Sequence, residues 1–220
     1  MPMIIIFVLV YSVMDMHNST FIIGISGAVG SGKSWFASRL KKSLSDTVCV
    51  FTLDSYSKSE KFVNNLEFRY DNPQAIDYNK AYADLSKLLH GGAIKLPVYD
   101  YVSHSAIAEE LYNAPSVIII EGLYAFYDKR FLDVMDIKIW IEVDEDVCME
   151  RRINRDIQER GVTKEEAISR HINDSKPAFE KFYNKGKALS DCVYFNVQTL
   201  NDVNPLLINL ITNFYEKNKL

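Results

Sequence analysis

The chain alternates between short apolar runs and longer stretches of helical periodicity. Nearly continuous hydrophobic segments occupy positions 21–25, 47–53, 116–120, 137–143 and 192–197. Runs of this length, rich in β-branched side chains, suit the strands of a parallel sheet covered on both faces. Between them, apolar residues recur every three or four positions. Phe36, Leu40 and Leu44 form one such stripe, and Tyr78, Tyr82, Leu85 and Leu89 form a second that stops at Gly91 and Gly92. Val203, Leu206, Leu207, Leu210, Ile211 and Phe214 predict a final helix. Positions 94–99 read as the start of a small hairpin or flap outside the main sheet. The order of elements predicts an α/β fold in three layers, with four or five mostly parallel strands flanked by helices.

The first apolar run leads directly into Gly27, Ala28, Val29, Gly30, Ser31, Gly32, Lys33 and Ser34. This is G-x-x-x-x-G-K-[ST] between a predicted strand and a predicted helix, the setting the P-loop requires. Its glycines let successive backbone N–H groups turn in around a phosphate chain, Lys33 adds a point charge, and the helix beginning near Lys33 aims its positive end at the same place. The fold class is therefore that of P-loop NTPases. The octet by itself leaves kinase, GTPase, ATPase motor and sulfotransferase-like chemistry open.

Two further runs end on acids. Asp54 follows the second strand and Glu121 the third, so both fall at carboxyl ends, where open α/β sheets place their chemistry. Asp54 could accept a proton from an incoming hydroxyl or merely cap a turn. Glu121 could hold Mg²⁺ directly or through water, or be an ordinary turn carboxylate. Positions 150–161 carry Arg151, Arg152, Arg155 and Arg160 at helical spacing, with Arg152 and Arg155 on one face. Their forked guanidinium groups suit phosphate, although local Glu–Arg pairs on a solvated helix would give the same pattern. Tyr99 and His104 lie in a polar, aromatic segment able to wall a heteroaromatic base.

Length and charge narrow the partners. The 220 residues fit one domain over positions 19–220, and a net charge of −4 with a pI near 5.6 supplies no broad basic surface for coating nucleic acid. A small molecule is the expected partner. Cys49, Cys148 and Cys192 are an odd number set far apart in apolar company, which predicts buried thiols in a reducing, cytoplasmic compartment. Positions 1–18 form an apolar N-terminal extension. Its apolar core is shorter than the about 20 residues a bilayer-spanning helix needs and lacks a signal peptide's flanks, so an overextended or poorly ordered start is expected ahead of a packed element or a membrane tether.

Taken together, the P-loop, Leu53-Asp54-Ser55-Tyr56, Tyr70-Asp71-Asn72-Pro73, the segment from Pro97 through Tyr99 to His104 and Ser105, Glu121-Gly122, Arg152-x-x-Arg155-Asp156 with Glu159-Arg160-Gly161, and Lys176-Pro177-Ala178-Phe179 resemble the uridine–cytidine kinase family. The resemblance runs in order from about Phe21 to the C-terminus. It implies transfer of the ATP γ-phosphoryl group to a nucleoside 5′-hydroxyl. Asp54 would be the general base, Lys33 and the loop amides would hold phosphates, and Ser34 with Glu121 would organise Mg²⁺. Asp71 would hold the ribose hydroxyls with Arg152 beside it, Tyr99 and His104 would read the pyrimidine edge, and Arg155 and Arg160 would close as lid arginines. The resemblance also implies a homo-oligomer, with a tetramer as the family's habit.

Two positions depart from the family pattern. Val162 stands where arginine is common and Arg170 where glutamine is, both near the expected nucleoside site. Arg170 is expected to replace part of the missing arginine. The alternatives are a kinase for another small alcohol or nucleoside, and a non-catalytic NTP-binding switch that would have no need of Asp54.

Overall fold

The computed structural model describes residues 20–44, 47–100, 105–113, 115–196, 209, 211–213 and 215. The N-terminal extension, His104 and most of the expected final helix lie outside the described residues. Among the described residues, a five-stranded sheet has the order β2-β5-β1-β6-β7, built from β1 (Phe21–Gly27), β2 (Val48–Thr52), β5 (Val117–Glu121), β6 (Ile137–Glu142) and β7 (Cys192–Phe195). Every neighbouring pair in it is parallel. The five apolar runs are thus its five strands, and all seven residues of β1 are buried because it sits at the centre.

Strand alternation sorts these side chains into two cores. Ile22, Cys49, Phe51, Ile118 and Ile120 face one side of the sheet, and Ile23, Ile25, Val48, Val117 and Ile119 face the other. Helix α1 (Lys33–Ser43) covers the second face with Phe36, Ala37 and Leu40, while α2 (Tyr78–Leu89) covers the first with Ala81, Leu85 and Leu88. The expected stripes differ slightly from the observed ones. Tyr78 and Tyr82 are only partly buried, and Leu88 replaces Leu89 as the deepest contact.

The expected flap is an antiparallel hairpin of β3 (Ala93–Asp100) and β4 (Ser105–Asn113), separate from the main sheet. Its register shifts between Val98 and Tyr99. Cys49, Cys148 and Cys192 are free and buried, as their surroundings in sequence predict, and burial pushes the Cys49 thiol up to about 12. Among the described residues, no helix is long and apolar enough to cross a membrane.

Phe36 is fully buried beneath α1, with its ring 5.2 Å from that of Tyr194. Substitution Phe36→Ala should destabilise the fold by about 3–5 kcal/mol, read as a lowered urea midpoint.

Candidate functional site

The carboxyl ends of β1, β2 and β5 converge on the phosphate loop. The loop turns from Gly27 to Ser34 with Gly30 at φ +82° and Gly32 at φ +91°, and Gly32 is the residue from which α1 starts. At Gly30 a side chain is excluded twice over, since a Cβ would lie 2.2 Å from the backbone oxygen of Cys148 and the backbone is left-handed. The buried Asn196, just past β7, donates from Nδ2 to the Ser31 carbonyl at 2.9 Å and ties the loop to the far edge of the sheet. Lys33 Nζ donates to the Ala28 carbonyl at 2.9 Å.

Glu121 ends β5 with its carboxylate buried. The Ser34 hydroxyl donates to Oε2 at 3.1 Å and the Thr52 hydroxyl donates to Oε1, so this one carboxylate joins α1, β2 and β5. Burial pushes the Glu121 carboxyl up, and the neighbouring Asp54 adds to the effect against the Thr52 bond and Lys33. Removal of the Lys33 ammonium from water pushes its pKa down, opposed by Glu121 and Asp54. The charged forms of both groups would be favoured by ligand charges of opposite sign, an anionic phosphate at Lys33 and a cation at Glu121. Among the described residues, no cluster of three or more His, Cys, Asp or Glu side chains could cage a metal. A hard divalent cation would instead draw on Ser34, Glu121 and the oxygens of a bound ligand, which is how Mg²⁺ is usually held.

Asp54 stands on a 3₁₀ turn, Leu53–Tyr56, that follows β2. The turn is anchored by the buried Leu53 and Tyr56, the latter stacked on Phe51. The Ser57 hydroxyl donates to the Asp54 carbonyl at 2.8 Å. Lys58 N–H then donates to the Ala75 carbonyl and Asp77 N–H to that of Tyr56, fastening the Asp54 turn to the segment that carries Asp71. A cavity of about 190 Å³ results, whose lining includes Lys33, Ser34, Asp54 and Glu121 together with Arg69, Asp71, Arg152 and Arg170. Arg155 and Arg160 also line it. A second cavity of about 350 Å³ shares Asp71 with the first and is lined in part by His171 and Ser175.

Asp71 is 7 % exposed and Arg152 8 %. Arg152 Nη2 donates to Asp71 Oδ2 at 3.1 Å, and the Tyr124 hydroxyl donates to the Asp71 main-chain carbonyl. Helix α3 (Glu145–Arg160) supplies Arg152, Arg155 and Arg160, and all three turn to Asp156, at 3.5, 3.4 and 3.1 Å. Asp156 is fully buried. These arginines thus gather on a buried acid of their own helix, where a solvated helix would have them meet exposed glutamates. The i, i+4 spacing of Arg152, Asp156 and Arg160 is the sequence signal for this hub, although in a charged run Asp156 is indistinguishable from a solvated acid. Arg170 lines the cavity, and it holds Glu166 at 2.7 Å. Tyr99 lies on β3, its side chain outside the described residues like His104.

Comparison with known proteins decides the family. The Phosphoribulokinase / Uridine kinase family matches residues 22–204. The chain belongs to that family. Its relatives include uridine kinase of Lactococcus lactis, 35 % identical over 181 residues that cover 80 % of this chain and 88 % of that protein. Uridine kinase of Staphylococcus haemolyticus is 36 % identical over 183 residues, covering 81 % of this chain and 88 % of the relative. Among solved structures, phosphoribulokinase from Rhodobacter spheroides superimposes with a TM-score of 0.59 at 13 % identity, covering 84 % of this chain and 73 % of that one, and so shares the fold. The family match begins within β1 and takes in the phosphate loop, the Asp54 turn, the Asp71 segment and the arginine helix.

Residues that sequence reasoning left without a role are Thr52, Arg69, Asp156, Asp174 and Ser175. Arg69 pairs with Asp174 at 2.9 Å, and the Ser175 hydroxyl donates to Asp71 Oδ2 at 2.7 Å. Substitution Asp156→Ala removes the carboxylate around which three guanidinium groups gather. It should cost about 3 kcal/mol in urea unfolding, toward the low end for breaking a buried pair because Arg155 can turn to solvent.

Proposed function

We propose that the chain transfers the γ-phosphoryl group of ATP to the 5′-hydroxyl of uridine, and of cytidine, giving the nucleoside monophosphate. The observation that carries this reading is the position of Asp54 in one cavity with the phosphate loop and with the Asp71–Arg152 pair. A carboxylate between a phosphate cradle and a polar acceptor pocket is placed to take the proton of a hydroxyl as it attacks phosphorus. The family and its uridine kinase relatives support the pyrimidine nucleoside as substrate.

In this reading the amides of Gly27–Ser34 and Lys33 bind the triphosphate, with ATP as donor. Mg²⁺, when bound, would neutralise charge on the phosphate oxygens, and Ser34 and Glu121 are the residues that would hold it. Asp54 orients the 5′-hydroxyl and accepts its proton. Asp71 receives a ribose hydroxyl while Arg152 keeps its carboxylate aimed. Tyr99 and His104 are assigned to the base. Arg155 and Arg160, stored against Asp156, are the groups to move onto the phosphoryl oxygens, where a fixed positive charge lowers the barrier in proportion to the charge that develops. The free, buried cysteines favour a reducing cytoplasm.

The chemistry of the acceptor half favours a neutral substrate over an anionic sugar phosphate. Four arginines besides Arg152 line the cavity, but Arg69 is neutralised by Asp174 at 2.9 Å and Arg170 by Glu166 at 2.7 Å. Arg155 and Arg160 belong to the Asp156 hub. An acceptor carrying its own phosphate would meet Arg69 and Arg170 already paired, with Arg155 and Arg160 given to the transferred phosphoryl group.

A kinase assay over a panel of nucleosides and sugar phosphates tests the assignment. Asp54→Asn should lower kcat on uridine at least about 100-fold, the usual worth of a positioned base, while ATP affinity stays within about threefold. Unchanged turnover would remove Asp54 as the base, and no phosphorylation of any pyrimidine nucleoside would remove the substrate assignment. Arg170→Ala should raise the uridine KM roughly fivefold, as for loss of one hydrogen bond, and leave the ATP KM unchanged. An unaltered uridine KM would show that Arg170 does not stand in for the arginine absent at Val162.

A further inference from the structure

The Asp71 carboxylate is not evenly occupied. Its Oδ2 accepts from Arg152 Nη2 at 3.1 Å and from the Ser175 hydroxyl at 2.7 Å. Among the described residues, its Oδ1 receives the longer contact from Arg152 Nη1, at 3.4 Å, and no other hydrogen bond. That same Nη1 donates to Ser175 Oγ, which leaves the hydroxyl proton free to go to the carboxylate. The other acceptor within reach, the Arg170 carbonyl, is 3.5 Å away and cannot compete with a charged oxygen at 2.7 Å. All three side chains belong to residues under 9 % exposed, so the arrangement is fixed by burial as well as by bonding.

The backbone around Asp71 has an unusual conformation. Phe68 and Arg69 take φ values of +62° and +45°, a region that costs L side chains on the order of 1 kcal/mol each and is kept only where surroundings enforce it. The surroundings here come from the turn His171–Ser175. Asp174 takes Arg69 through Nε at 3.2 Å and Nη2 at 2.9 Å, and Ser175 takes Asp71. Two adjacent residues of one turn thus grip two residues of the strained one.

We propose that Ser175 is a positioning residue for nucleoside recognition. By saturating Oδ2 it leaves Oδ1 as the single carboxylate oxygen open to a ribose hydroxyl, so that the site selects acceptors with an intact ribose. This rests on the reading of the chain as a nucleoside kinase in which Asp71 faces the sugar.

Calorimetric titration of wild type, Ser175→Ala, Ser175→Cys and Ser175→Thr with uridine and with 2′,3′-dideoxyuridine tests it. Wild type should bind uridine more tightly than the dideoxy analogue. Ser175→Ala should weaken uridine about tenfold, the worth of a hydrogen bond to a charged group, and the analogue less than about twofold. At saturating uridine, kcat should stay within about threefold of wild type. Ser175→Cys fills the site with a slightly larger atom that is only a weak donor and should repeat the uridine-selective loss even if the alanine variant folds poorly, whereas Ser175→Thr, which keeps the hydroxyl, should restore uridine binding. Equal weakening of both ligands, or no weakening of uridine in either the alanine or the cysteine variant, overturns the role of Ser175 alone. A wild type that binds neither ligand, or binds both equally, overturns the assignment of Asp71 to the ribose and the inference with it.

Discussion

The Arg152 guanidinium joins two buried carboxylates that come from different parts of the chain. On one side it meets Asp71, in the segment between β2 and α2, and on the other Asp156, on its own helix. A guanidinium held in an interior this dry is tolerable only if carboxylates face it, and a carboxylate as buried as Asp156 only if cations do. Each group therefore makes the others necessary. The acceptor pocket cannot shift without disturbing the arginine helix, and that helix cannot turn without uncovering Asp156. One cluster thereby locks the two halves of the site into register.

The sheet supplies the other constraint. Its parallel strands all end on one side, and Ser34, Thr52 and Glu121 come from three elements that meet there. Their hydrogen bonds draw the start of α1, the end of β2 and the end of β5 together around one carboxylate. Asp54 is carried by the turn that leaves β2 directly afterwards, so its distance from the phosphate loop is set by the sheet and not by a mobile loop. Where catalysis is mainly the placement of charge, this rigidity is what a fixed backbone contributes.

Much of this was legible in the chain before any geometry. Strands buried on both faces must be apolar throughout, so the five strands stood out as runs, and the phosphate loop carries its own signature because only glycine tolerates Gly30's conformation and its contact with Cys148. Asp54 and Glu121 were visible because they end those runs. Asp174 and Ser175 were not. Their partners lie 105 and 104 residues away, and neither a serine nor an aspartate in a polar helical stretch announces a long-range bond. Asp156 was hidden for another reason, since its burial depends on how α3 packs and a row of alternating charges usually marks a solvated face.

The same fold underlies phosphoribulokinase, whose structure superimposes on this chain at 13 % identity, so the fold by itself does not fix the acceptor. Under the proposed function, the neighbourhood of Asp71 is where an acceptor would be selected. In this chain that neighbourhood is crowded with arginines yet almost every positive charge is met, Arg69 by Asp174, Arg170 by Glu166, and Arg152 by Asp71 and Asp156. Charge pairing of this kind suppresses non-selective attraction for anions and leaves discrimination to hydrogen bonds whose geometry is fixed in advance. A buried polar site rejects a ligand lacking the matching hydroxyl far better than an apolar pocket rejects one of the wrong size, because the unmet group then stays desolvated and unpaired. Under the proposed function, the neutralised arginines and the half-occupied Asp71 carboxylate would act as two sides of one selection, against charge and for a hydroxyl.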